Sequence, residues 1–203
     1  MKNRIVIGIL VLVLVASLLP VMTRSWRCAV DARCLIVLAG SDERRITINP
    51  YVRNGLWISP DMAVSLLRNL EYPYENCIEY DNMPHNCSVP LVNWAGRTLG
   101  LSSKKADARM MEVLKILIDR GLPIDQMADG LAPVHEAILF YKPEYLRLLL
   151  EAGADLNQRV QRPGAGSDGL DAFQFYELVV SKRQQPMPDI KSLLEQYRIP
   201  NFE

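Results

Sequence analysis

Residues 129–157 read DGLAPVHEAILFYKPEYLRLLLEAGADLN. Two short apolar patterns at helical spacing, 133–141 and 144–152, are divided by Lys142-Pro143. Apolar residues that recur every three to four positions give each segment one face to bury. The stretch opens on Asp129-Gly130, a turn pair. Gly153 follows the last periodic residue, where a closing helix needs the left-handed backbone that glycine adopts without steric penalty. The sequence therefore spells helix, turn, helix, glycine stop.

The same pattern recurs on both sides. Aligning Gly121 with Gly153 superposes Leu114 on Leu146, Leu117 on Leu149 and Ile118 on Leu150, a period of 32. Pro90 and Pro133, which open the corresponding first helices, lie 43 residues apart, so about ten extra residues are expected in a loop over 96–105. Downstream, DGLDAF at 168–173 echoes DGLAPV at 129–134 after 39 residues, and the surplus maps to 161–167. The last unit continues through 175–180 and 189–197, with Tyr197 in place of the closing glycine. Ser59-Pro60-Asp61 marks a further helix start, serine capping the first free N–H groups and proline pre-set at the first helical position. That helix is expected to run to about Leu70 and to serve as an N-terminal cap. About four units are counted over 59–200.

DG-LAPVHEA followed by LRLLLEAGADLN resembles the ankyrin repeat, whose consensus holds T-P-L-H-x-A at a period near 33. Pro133, His135 and Ala137 keep register; Ala132 stands where the family has Thr and Val134 where it has Leu. The resemblance implies a mainly α solenoid of helix-turn-helix units that bury their apolar faces on one another. It also implies that His135 is a structural hydrogen-bonding residue, one of whose family tethers Ala132 removes. Ankyrin arrays bind proteins through hairpin fingers and the concave side of their first helices. By position, the fingers contribute Asp125, Gln126, Met127, Ala128 and Asp129, then Asn157, Gln158, Arg159 and Arg162 within 157–167. The first helices contribute Asn93, Glu136, Phe140, Tyr141 and Gln174.

The first residues differ in kind. Met1-Lys2-Asn3-Arg4 precedes an uncharged run of 18 residues, 5–22, followed by Thr23-Arg24-Ser25-Trp26-Arg27. Both a cleaved signal peptide and a retained anchor begin this way. The length of the run and the lack of a small-x-small cleavage site favour the anchor. Cys28, Cys34, Cys77 and Cys87 form an even set without C-x-x-C spacing, read as two disulfides of an oxidising compartment. Of the three possible connectivities, Cys28 with Cys34 and Cys77 with Cys87 is preferred. Over 29–58 the runs 34–38 and 45–48 are strand-like, leaving a β-hairpin and an irregular spacer as equal alternatives. The expected division is thus 1–24 as signal or anchor, 25–58 as a disulfide-containing segment and 59–203 as the repeat domain.

Chemistry is sparse. With 23 basic and 23 acidic residues there is no charge excess to recommend nucleic acid as a partner. His135-Glu136 begins like H-E-x-x-H, but position 139 is leucine and His85 is the only other histidine, so no metal site is expected. Neither a phosphate-binding glycine loop nor a nucleophile elbow is present, and no cofactor or enzymatic activity is expected. Asn86-Cys87-Ser88 fits a glycosylation sequon. Together these features suggest a periplasmic ankyrin-type protein held at the inner membrane, binding another protein. The particular expectation is an immunity protein that sterically blocks a toxin, of lipase or phospholipase type; an envelope adaptor is the rival.

Overall fold

The computed structural model describes residues 32–42, 58–72 and 89–198. These residues are mainly α: eight helices and one isolated β-bridge, between Ala128 and Leu131. The chain divides into two compact units, 1–73 and 74–203.

In the first unit, α1 (Ala32–Ala39) packs against α2 (Pro60–Asn69). The strand expected at 34–38 is thus a helix. Ala32, Leu35, Ile36 and Ala39, spaced for one helical face, are all buried, a period that the unbroken apolar run 34–39 conceals. Gly40 and Ser41 close it, their N–H groups donating to the Ile36 and Leu38 carbonyls. The other half of the expected hairpin, 45–48, lies outside the described residues, as do the apolar run 5–22, the loop cysteines and the sequon. Among the described residues no helix is long and apolar enough to cross a membrane. Helix α2 begins as its sequence requires: the Ser59 side chain accepts from the Met62 N–H at 3.1 Å, with Pro60 in the first turn. Cys34, on α1, is disulfide-bonded; Cys28, Cys77 and Cys87 lie outside the described residues.

The second unit holds three successive helix pairs: α3 (Leu91–Thr98) with α4 (Lys104–Asp119), α5 (Pro133–Leu139) with α6 (Pro143–Glu151), and α7 (Ala172–Arg183) with α8 (Pro188–Gln196). The first helices form a row in which α5 touches both α3 and α7, while α6 touches α8. The aligned apolar positions are core in both pairs, since Leu114, Leu117, Leu146 and Leu149 are fully buried. The two glycines do the same work. At Gly121 (φ 79°) the N–H of Leu122 reaches the Leu117 carbonyl, and at Gly153 (φ 88°) that of Ala154 reaches Leu149. This is the left-handed helix stop in which orphan carbonyls of the last turn are satisfied.

The extra residues do not form the loop expected over 96–105. Gly96, Arg97 and Thr98 complete α3, and the connection is only 99–103. Most of the surplus lengthens α4, which has 16 residues against nine in α6. Ser103 starts it by accepting from the Ala106 N–H, and the helix-favouring Lys104-Lys105-Ala106-Asp107-Ala108 forms roughly its first turn and a half. Ordinary helix-forming residues carry no mark that separates them from a polar loop when the next apolar stripe starts later.

Candidate partner-binding surface

Between successive pairs the chain makes short hairpins that stand side by side. In the first, Ala128 and Leu131 exchange backbone hydrogen bonds around Asp129 (φ 52°) and Gly130 (φ 73°). Two successive residues at positive φ are what a tight hairpin turn needs, and Asp-Gly suits it. In the second, Val160 donates to Leu170 and accepts from Gly169, enclosing a longer tip. A backbone bond joins the two, Gln161 N–H to Gly130 carbonyl at 2.9 Å. A Cβ on Gly130 would fall 2.0 Å from the Gln161 oxygen, so this approach requires glycine.

Most expected finger residues are engaged in this framework. Arg162 donates from Nε to the Asp129 carbonyl at 2.6 Å, and its N–H donates to the Asp168 carboxylate. Gln158 reaches the Asp125 carbonyl at 2.7 Å, and the Asp125 carboxylate accepts from the Asp155 N–H. Burial holds the Asp125 carboxyl above its usual range, opposed by that hydrogen bond. Asn157 is anchored on Asp155, and Arg159 on the Gly169 carbonyl. Gln126, Asp129, Asn157 and Arg159 are exposed; Met127, Gln158 and Arg162 are half-buried. The tip, 163–166, is exposed throughout.

Of the first-helix residues expected at the surface, Phe140, Tyr141 and Gln174 are exposed, and two are not. Asn93 is 0% exposed and Glu136 1%, so neither can meet a partner. Glu136 instead takes two donors from Arg97, Nε at 2.8 Å and Nη2 at 2.5 Å. The same Nη2 reaches the Asp129 carboxylate at 2.9 Å. Arg97 thereby ties the end of α3 to both α5 and the finger before it. Desolvation raises the Glu136 carboxyl against the pull of Arg97. Asn93 is near enough to favour its ionised form, yet the Asn93 amide makes no hydrogen bond of ordinary geometry. The sequence signal for Arg97 is that it is the one charged residue of α3.

His135 also departs from the expectation. Neither ring nitrogen has a hydrogen-bond partner; the ring meets Phe175 edge-on, centroids 5.2 Å apart at 84°. Burial pushes its pKa from 6.5 down to about 4, with the Asp171 carboxylate opposing. A neutral, packed imidazole sits where the resemblance implied a tether. Ala132, with no hydroxyl to offer, is the sequence-level reason. His135 and Glu136 are adjacent, but burial keeps both from being presented to a substrate.

The opposite edge is made of the turns inside each pair. Tyr141 (φ 52°) closes α5 in the left-handed conformation; its hydroxyl donates to Asp189 at 3.2 Å. Lys142 reaches the Gly96 and Arg97 carbonyls, and Arg183 donates to the Leu139 carbonyl. Tyr145 is buried with its hydroxyl on the Val92 carbonyl at 3.1 Å. Gln174, exposed, completes a capping box with Asp171 at the start of α7. Between the end of α6 and the last pair lies a cavity of about 630 Å³ lined by Leu150, Asp155, Asp171, Phe173, Tyr197 and Arg198 among others. No group of three or more metal-ligating side chains occurs among the described residues. Comparison with family models, curated proteins and solved structures finds no match. What the geometry defines is the class: a mainly α protein whose helix pairs hold a row of preformed hairpins.

Proposed function

We propose that this chain is an ankyrin-type protein-binding array of the bacterial envelope. We propose further that it acts as an immunity protein, its fingers covering the catalytic cleft or membrane-contact surface of a periplasmic toxin such as a lipase. The observation that carries the proposal is the Gln161–Gly130 backbone bond, which joins two fingers into one edge. A loop already held in place loses little conformational freedom on binding, so contact energy appears as affinity. The exposed tip 163–166 supplies small and polar groups beyond that framework. The 32-residue period and the paired glycine stops support the ankyrin likeness. The apolar run 5–22 and the disulfide at Cys34 support an exported body.

The test is binding and protection together. The protein encoded by the adjacent gene is purified and titrated against this chain, and co-expressed with and without it in the periplasm. Tight binding with rescue of growth supports the proposal. No binding with no rescue contradicts it, and envelope stress on deletion without toxin sensitivity indicates the adaptor role instead.

A further inference from the structure

The tips of the two fingers are bonded to the helices at one point. In the first finger Ala128 and Leu131 bury the base, but the turn above them is closed by that single backbone pair. A hairpin this small does not hold itself. Asp129, at φ 52°, adds a cost, since a residue with a side chain seldom takes the left-handed conformation. Among the described residues, the one helix side chain bonded to this turn is Arg97. Its Nη2 donates to the Asp129 carboxylate at 2.9 Å and lies 3.5 Å from the Ala128 carbonyl oxygen. No helix side chain bonds residues 158–170 among the described residues; outside its own turns the second finger bonds the first. Its Gln161 N–H donates to the Gly130 carbonyl, Arg162 Nε to the Asp129 carbonyl at 2.6 Å, and Gln158 to the Asp125 carbonyl. Arg97 is itself fixed at both ends: Glu136, 1% exposed, takes its Nε and Nη2, and Lys142 donates to its carbonyl at 3.0 Å.

We infer that Arg97 is the positioning residue of the finger edge, holding the first finger directly and the second through it, so that a buried carboxylate between α3 and α5 governs both exposed tips. An exposed ion pair is ordinarily weak because two side chains must be immobilised to form it. Here the Arg97 side chain is 27% exposed and already held by Glu136, so the bond to Asp129 orders only one short side chain. That bond offsets the left-handed cost at Asp129 and sets where the Asp129 and Gly130 carbonyls point. Those two carbonyls are what Arg162 and Gln161 reach. Loss of Arg97 therefore frees the second finger as well, which it does not touch. The coupling is reciprocal, and whatever stiffens the fingers also tightens the pair between α3 and α5. Its bearing on binding rests on the finger surface proposed above, but the relay is a property of the chain alone, so the two can fail separately.

The experiment is amide hydrogen exchange on the full chain with no partner present, resolved by residue through electron-transfer fragmentation. Exchange of this kind reads local opening separately from global unfolding. The double variant Arg97→Leu, Glu136→Leu removes the relay without leaving a buried charge unpaired. In it the Leu131 and Gln161 amides are expected to exchange about ten-fold faster, the effect of one charge-assisted hydrogen bond. Leu146 and Ala152, whose amides bond within α6, serve as controls and keep their rates. A residue that served stability alone would move all four together. Asp129→Asn keeps a favoured Asn-Gly turn and weakens only the bond to Arg97; about three-fold acceleration at Leu131 and Gln161 is expected. Should the double variant exchange uniformly faster, this second variant decides. An unchanged rate at Gln161 in either variant, or equal acceleration of Leu146 and Ala152 in Asp129→Asn, would overturn the inference.

Discussion

Arg97 and Glu136 form an ion pair across 39 residues of sequence, both donors of the guanidinium edge converging on a carboxylate oxygen that is almost fully buried. Taking this pair out of water is costly, and the attraction offsets that cost only while both partners remain. Arg97→Leu leaves Glu136 buried without a counter-charge and is expected to destabilise the second unit by about 3 kcal/mol. Adding Glu136→Leu should recover most of that loss. Urea unfolding followed by circular dichroism checks both; a double variant no more stable than the single would contradict the assignment.

Gly96 faces the ring of Tyr145, where an added Cβ would lie 2.3 Å from ring carbons. Gly96→Ala must displace a fully buried tyrosine and the hydrogen bond its hydroxyl makes to Val92. The expected cost is about 2–3 kcal/mol, combining overpacking with a lost hydrogen bond. Tyr145→Phe alone removes only the hydrogen bond and should cost about 1 kcal/mol. Similar midpoints for the two variants would show that α3 and α6 are less closely packed than described.

His135 makes stability depend on pH. Its folded pKa, about 4, lies below its ordinary 6.5, so the unfolded chain takes up a proton over that window and the folded chain does not. Its contribution is therefore fully present above pH 6.5 and declines as pH falls from 6.5 towards 4, by about 3 kcal/mol in total. Glu136, raised by burial, acts in the opposite sense just above its ordinary carboxylate range, since acid relieves a charge the folded chain holds unfavourably. His135→Leu should flatten the fall in stability between pH 6.5 and 5, measured by urea midpoints at fixed ionic strength. An unchanged slope would assign the titration elsewhere.

Much of the framework was legible in residues 129–157. The period placed Leu114 over Leu146 and both glycine stops where left-handed residues occur, because core spacing and positive φ leave direct marks in sequence. The site was less legible. Glu136 and Asn93 look like surface by composition, and only the partner Arg97, in a different helix, shows why Glu136 can be buried. His135 matches the histidine of the ankyrin consensus it resembles but makes no hydrogen bond, and Ala132 lacks the hydroxyl of the threonine in that consensus. Leu35 and Ile36 read as strand because a short apolar run serves either structure, and tertiary packing against α2 decides.

The finger edge is the most direct place to test the account. In one variant 163–167 is replaced by a two-residue Asn-Gly turn, which keeps the Val160–Leu170 pairing and the Gln161–Gly130 bond while removing the tip. The measurement is the Kd for the protein encoded by the adjacent gene, by isothermal titration calorimetry, with helicity and unfolding midpoint recorded alongside. Binding weakened at least about 100-fold with an unchanged midpoint, a loss of about 3 kcal/mol or more, is the predicted result. Unaltered affinity in the folded variant would contradict the claim that these fingers form the binding surface.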